Sequence, residues 1–454
     1  MPRSEAMTPA ELRASVGLAA IYGLRMLGMF VILPVFALYA AHLPGGTDLT
    51  LVGLALGAYG LTQGILQLPF GWLSDRLGRK PVIVGGLLLF ALGSFIAASA
   101  HDIYMVILGR MVQGAGAISA AVMALSADLT RDEQRTKAMA VIGSTIGVAF
   151  ALSLVLGPVL NRLVGVPGIF ALTGVLALTA IAVLYLVVPQ PGSLRAPARA
   201  GDFRAILRHP ELLRLDFGIF VLHAALMSVF AVVPFALEKA GLAVDQHWHV
   251  YLPVMLGSFV LMLPGILYAD RESAVKTVFV TALVLLLAAQ VLMALWLDEL
   301  WAIGGLLLLF FTAFNILEAS LPSLVTRIAP FPARGAALGV YSSVQFLGAF
   351  AGAAAAGYLY QHHGAGSVFA FAAAATTLWL GFAATMRGPP PLLVTRTYAV
   401  PAMGSGRAKG LSQQLAALPG VRKAEIRMRD GIACLRVELR SFDEQRALSL
   451  IKGD

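Results

Sequence analysis

Apolar residues in this chain gather into long blocks and alternate with polar ones only near the C-terminus. A helix needs about 20 apolar residues to cross roughly 30 Å of hydrocarbon. Blocks of that order lie at 15–41, 50–73, 81–99, 102–127, 137–161, 167–188, 214–238, 247–268, 275–297, 300–328, 334–360 and 366–386. The pattern predicts twelve membrane-spanning helices, numbered here spans 1 to 12. Pro34, Pro69, Pro158, Pro234, Pro264 and Pro322 fall inside them. Membrane helices tolerate proline because neighbours re-satisfy the freed backbone groups.

The breaks between blocks differ in charge. Loops after the even-numbered spans, with the N-terminus, hold most basic residues, among them Arg13, Arg76, Arg79, Lys80, Arg131, Arg135, Lys137, Arg208, Arg271 and Arg334. The opposite loops hold only Arg162 and Lys239. The positive-inside rule then predicts that both termini are cytoplasmic, in a bacterial-type inner membrane. Membrane topology thus accounts for the net charge of +9, and nucleic acid is not an expected partner. Composition agrees: 59% hydrophobic and 13% charged, against about 45–50% and about 25% in soluble domains. The single cysteine, Cys434, excludes an intramolecular disulfide and a cysteine-based metal site. The first block runs to Ala41, too long for a cleavable signal peptide.

The longest internal loop, Val188 to about Leu213, carries Pro189, Pro191, Pro197 and several arginines. It reads as a cytoplasmic linker (191–213) between six-helix halves at 1–190 and 214–387. A weak repeat supports the division. Arg135-Thr-Lys-Ala-Met-Ala-Val resembles Arg334-Gly-Ala-Ala-Leu-Gly-Val, and Asp75-Arg76 echoes Asp270-Arg271. Repeated halves fit a transporter with its site at the midplane between them. Beyond Gly388-Pro389-Pro390-Pro391 the pattern becomes strand, helix, strand, strand, helix, with Asp430-Gly431 as a hairpin turn. That order, over 394–454, is most of a ferredoxin-like fold. The expected fold class is an all-α membrane protein of two six-helix halves, followed by a small α+β soluble domain.

Three stretches carry chemistry. Between spans 2 and 3 the chain reads Gly71-Trp72-Leu73-Ser74-Asp75-Arg76-Leu77-Gly78-Arg79-Lys80-Pro81. Gly71 allows close helix approach and Gly78 permits the turn. Asp75 can accept hydrogen bonds from another helix N-terminus. The basic residues also enforce topology, but topology alone does not demand this spacing. Span 4 holds Arg110-Met-Val-Gln113-Gly114-Ala-Gly116. An arginine inside a membrane span is costly and usually functional; the structural alternative ties it to carbonyls or a neighbouring helix. Span 5 holds Gly143, Gly147, Ser153 and Gly157-Pro158, whose structural alternative is close packing of spans 5 and 8.

On these motifs the chain resembles the major facilitator superfamily, and over its transport portion the twelve-span drug:proton antiporters of that family. The first stretch matches the signature G-x-x-x-D-R-x-G-R-K throughout, and the second matches R-x-x-Q-G-x-G. The resemblance implies that Asp75 meets span 11 and latches an outward-open state. It implies that Arg79 pairs with Asp75 and Asp128, and that Arg110 assists proton transfer. The third stretch looks like the antiporter motif, but Ser153 and Asn161-Arg162 stand where glycines are usual. Export and import therefore both stay open.

Other polar residues interrupt the spans: Arg25 in span 1, His223 in span 7, Asn315 and Glu318 in span 10, Tyr341 and Gln345 in span 11. A carboxylate drawn out of water in a cavity can carry a proton. Glu318 is the first candidate for proton coupling, with Arg110 and His223; an ion pair fastening helices is its alternative. Arg25, Gln113, Asn315, Tyr341 and Gln345 are cavity candidates. His247, His249, His362 and His363 read as solvated loop residues and not as a metal site. The tail resembles heavy-metal-associated domains through Leu415-Ala-Ala-Leu418-Pro419-Gly420-Val421. It lacks their Cys-x-x-Cys, so metal binding is not assigned, and Cys434 reads as a buried small hydrophobe.

The sequence thus predicts a secondary transporter and not an enzyme. It would exchange protons for a small-molecule substrate by alternating access. No nucleotide-binding loop is present, so the proton gradient is the expected energy source and no cofactor is expected. The rivals are a proton-coupled nutrient symporter and a membrane sensor using the tail. The tail's expected partners are the cytoplasmic loops, a second copy of itself, or anionic lipid.

Overall fold

The computed structural model describes residues 7–131, 134–190, 206–269, 274–329, 333–386, 393–401, 403–428, 431–438 and 441–452. Most of the predicted linker lies outside these residues, as do Asp270, Arg271, Pro389–Pro391 and Asp430. The chain divides into a unit of Met7–Gly388 and another containing Pro389–Asp454.

The larger unit carries eleven candidate membrane helices among the described residues. They supply twelve crossings, because Lys137–Leu186 is 50 residues long. At about 1.5 Å per residue that is roughly 75 Å, over twice the hydrocarbon thickness. Gly165, at φ 68° and ψ 173°, breaks it. Contacts with span 1 fix the direction of each leg. Thr145 faces Gly23 and Gly157 faces the Val31 carbonyl, so the first leg runs parallel to span 1. Thr173 faces Gly28 and Val188 faces Gly17, so the second runs back.

Two spans predicted as continuous are broken. Span 1 forms Pro9–Phe30 and Leu33–Ala41. Pro34 cannot donate to the preceding turn, which is where the helix restarts. Span 4 forms Ile103–Ala115 and Ser119–Leu129, with a break at Gly116 (φ −74°, ψ 55°). The remaining spans are Leu49–Leu77, Arg79–Ala98, Pro210–Lys239, Trp248–Ala269, Ala274–Leu295, Leu300–Ile328, Arg334–His363 and Ala365–Ala384.

Lipid supplies no hydrophobic drive for helix association, so close backbone approach matters. Span 2 lies along span 11 on this basis. A Cβ at Gly60 would stand 2.6 Å from the Phe346 carbonyl oxygen. The two helices stay in contact from Leu49, whose N–H donates to Gln361 at 2.9 Å, to Leu68 beside Gly339. Span 11 meets span 7 in the same way, with Gly348 against the Phe220 backbone.

The small unit has strands β1 (Leu393–Ala399), β2 (Val421–Arg427) and β3 (Ile432–Glu438) in the antiparallel order β1-β3-β2. Helices Ser405–Ala416 and Glu444–Lys452 complete it. Leu411, Leu415, Val421, Ala433, Leu435, Val437, Ala447 and Ile451 form its core. Gly420 and Gly431 take positive φ (79° and 62°) at the turns before β2 and β3. Cys434 corrects the sequence reading. Buried positions on β3 are Ala433, Leu435 and Val437, so period-two alternation puts Cys434 on the opposite, half-exposed face.

Candidate functional site

The end of the bundle carrying the arginine-rich loops holds a charge cluster. Gly78, at φ 95°, makes the turn between spans 2 and 3. Gly71 lets Ala120 of span 4 approach. The turn delivers the buried Arg79, which donates to Asp128 at 3.0 Å, to Ser74 at 2.8 Å, and to Asp75. Lys80 turns away and donates to the carbonyls of Leu184 (3.2 Å) and Val188 (2.6 Å). It caps the orphan carbonyls at the end of span 6, a role the motif's spacing does not reveal. Arg76 is exposed and lies over the Trp72 ring at 3.9 Å.

At mid-depth, the first six spans bury two guanidiniums. Arg25 donates to Tyr59 (2.7 Å), Gln63 (2.5 Å), Ser119 (3.3 Å) and the Gly116 carbonyl (3.2 Å). That carbonyl lies at the break in span 4, so the lost helical turn supplies an acceptor for the arginine. Arg110 donates to Gln113 (2.8 Å) and the Leu56 carbonyl (3.3 Å). Gln113 is fully buried, donating to Ser94 at 2.9 Å. It serves the inside of this half. Sequence reasoning missed Tyr59, Gln63 and Ser119. The first two could have been found, because Tyr59, Gln63 and Gln67 recur one turn apart within an apolar span.

The last six spans bring together residues that the sequence could only place separately. The Gln345 amide nitrogen lies 2.8 Å from His223 Nε2 and 3.3 Å from Glu318 Oε1. Its two hydrogens bridge imidazole and carboxylate. With Nε2 accepting, the ring proton sits on Nδ1, which faces Glu318 Oε2 at 3.9 Å. That gap is too long for a hydrogen bond. The buried Tyr341 hydroxyl has no hydrogen-bond partner among the described residues and lies within electrostatic reach of Glu318 and Asp216. Phe150 of span 5 packs against Phe230, Phe311 and Phe314, and Phe314 covers His223. Asn315 donates to Ser258 of span 8 at 3.1 Å, tying span 10 to its neighbour.

Two further expectations are corrected. Gly143 and Gly147 are exposed, and a Cβ at either would meet nothing within 4 Å. They do not pack spans 5 and 8 together here. Gly157 is the tight position, and its partner is span 1, with the Val31 oxygen 2.5 Å from a built Cβ. His247 is not solvated; it is buried, and its Nε2 lies 3.1 Å from the Leu242 carbonyl. His249, His362 and His363 are exposed.

A profile of the Major Facilitator Superfamily matches residues 18–353 and again 245–415. The chain is 45% identical over 388 residues to the inner membrane transport protein YajR of Escherichia coli (strain K12), covering 85% of each chain. It is 28% identical over 349 residues to the multidrug resistance protein MdtH of Aeromonas hydrophila, covering 74% of this chain and 85% of that one. A solved bacterial homologue of the human lysosomal transporter Spinster, inward-facing and occupied, matches with a TM-score of 0.66 at 15% identity. That match covers 84% of this chain and 96% of the other, and its low identity speaks for the fold alone.

Proposed function

This chain is a multi-pass inner-membrane transporter of the Major Facilitator Superfamily, and from that premise we propose that it exports small organic or drug-like compounds in exchange for protons. The bridge from Glu318 through Gln345 to His223 carries the reading. It sets one carboxylate and one imidazole at mid-depth, between spans 7, 10 and 11. Glu318 accepts a proton while the site faces outward and releases it when the site faces the cytoplasm. The gradient thereby drives the step that carries substrate out. Arg110 lies in the other half, and a guanidinium does not deprotonate in a protein; its part is a fixed positive charge. The loop charges favour both termini in the cytoplasm. On that orientation the Arg79–Asp75–Asp128 cluster sits at the cytoplasmic end and holds spans 2, 3 and 4 as one block during rocking. The multidrug resistance relative supports the outward direction.

Everted vesicles test the reading. Energised vesicles with an acidified lumen are expected to accumulate members of a panel of anionic, neutral and cationic dyes. Accumulation should collapse with a protonophore and with Glu318→Gln. Accumulation that survives both removes the proton from the mechanism. Dye lost from preloaded vesicles on energisation marks a symporter, the reading that Ser153 and Asn161-Arg162 in the span-5 motif leave open.

A further inference from the structure

Among the described residues the two buried guanidiniums have no carboxylate partner. Arg25 and Arg110 are 1% and 2% exposed. Every acceptor they use is neutral: a phenol, two amides, a serine hydroxyl and two backbone carbonyls. The Nε of each is buried without a hydrogen-bond partner among the described residues. Aromatic rings supply the rest of the surroundings. Tyr59 and Phe90 lie 5.9 and 5.7 Å from the Arg25 guanidinium carbon, and Tyr59 and Phe36 lie 5.2 and 6.0 Å from that of Arg110.

The carboxylates of this half are engaged elsewhere among the described residues. Asp75 and Asp128 pair with Arg79, and Glu11 pairs with Arg131. Asp48 and Asp102 cap helix N-termini. Among the described residues, two positive charges therefore stand inside a membrane half with dipoles and ring faces as their compensation. Dipoles offset such charges less well than an anion does.

The network also reaches the seam between the halves. Tyr59 touches both guanidiniums, and its ring meets Phe346 of span 11 edge-on at 6.1 Å. Phe346 follows Gln345, which holds the Glu318–His223 pair. The Tyr59–Phe346 contact is thus the part of the seam that lies against the arginine network.

We propose that Arg25 and Arg110 form an anion site, and that the transported compound is an organic carboxylate whose charge they neutralise. Two forked donors with free N–H groups suit a carboxylate. Naming the occupant as cargo rests on the exporter reading; the anion site itself does not. The cations that bind and the acid that carries the proton then belong to opposite halves, so proton and cargo do not compete for one side chain.

The test is thermal stability of the full chain in detergent. The probes are naphthalene-2-carboxylate, naphthalene-2-carboxamide and 2-naphthylmethylammonium, with chloride and phosphate as inorganic controls. The carboxylate is expected to raise the melting temperature saturably, and the amide and ammonium to leave it unchanged. Gln63→Glu places a carboxylate of nearly the same shape beside Arg25. It should raise the melting temperature of the unliganded protein and abolish the carboxylate shift. Arg110→Gln should weaken carboxylate binding at least tenfold; should that variant fail to fold, Gln63→Glu decides alone.

The proposal is overturned if the amide or ammonium stabilises equally, or if no carboxylate shift occurs. It is overturned also if Gln63→Glu lowers the unliganded melting temperature and keeps the shift. Stabilisation by chloride or phosphate alone replaces cargo with a resident inorganic ion and overturns the carboxylate assignment. Glu318→Gln should keep the carboxylate shift. A shift that persists where proton-driven accumulation fails sinks the exporter reading alone; accumulation without a shift sinks the anion site alone.

Discussion

The first six spans bury arginines at mid-depth, whereas the last six hold a partly exposed glutamate and a partly buried histidine. Both halves use the same helical plan, and both satisfy their polar groups with glutamine side chains. Gln63 and Gln113 accept from guanidiniums, while Gln345 donates to a carboxylate and an imidazole. An amide can do either, so one residue type solves opposite problems. The charges differ in a way that matters for transport. A guanidinium stays charged, so the first half presents a constant field. A carboxylate and an imidazole change charge, so the second half can respond to a proton. Spans 2 and 11 are the seam where the fixed field and the titratable pair meet, through Tyr59 and Phe346.

The largest expected effect is on the titratable side. Glu318→Gln should lower proton-driven accumulation at least tenfold while leaving gradient-free exchange intact; loss of both would make Glu318 structural. Next is the seam. Gly60→Leu drives a side chain into the Phe346 backbone, and overpacking of this kind costs about 1–3 kcal/mol. The melting temperature should fall, and an unchanged value would contradict the close contact. Asp128→Asn leaves Arg79 with Asp75 and Ser74, so its cost should be about 1–2 kcal/mol, read by thermal unfolding. Within span 5, Gly157→Ala should destabilise measurably. Gly143→Ala and Gly147→Ala should stay within about 0.5 kcal/mol, because their surroundings are open here. Cys434→Ser, on the half-exposed face of β3, should change stability by no more than about 0.5 kcal/mol.

Much of this was legible in the order of residues. Long apolar blocks can only be spans in a chain this hydrophobic, and alternation in the tail marks its strands. The signature between spans 2 and 3 places Asp75, Gly78 and Arg79 close in sequence, so local geometry was enough to anticipate the turn. The breaks in spans 1 and 4 were less visible. Pro34 and Gly116 are ordinary in membrane helices, and only their neighbours decide whether a turn is lost. Cys434 was misplaced because strand parity depends on which face meets the helices. His247 was misplaced because burial of a loop residue depends on the chain that folds over it.

Sequence alone determined what is local or additive: the crossings, the family motifs, the loop charges and the presence of ionisable residues at mid-depth. Tertiary structure decided which of those residues share an environment. Arg25 and Tyr59 are 34 positions apart, and His223 and Gln345 are 122 apart. Nothing in local propensity or periodicity carries information over such separations. A buried charge is defined by what surrounds it, and here the surroundings come from helices distant in the chain.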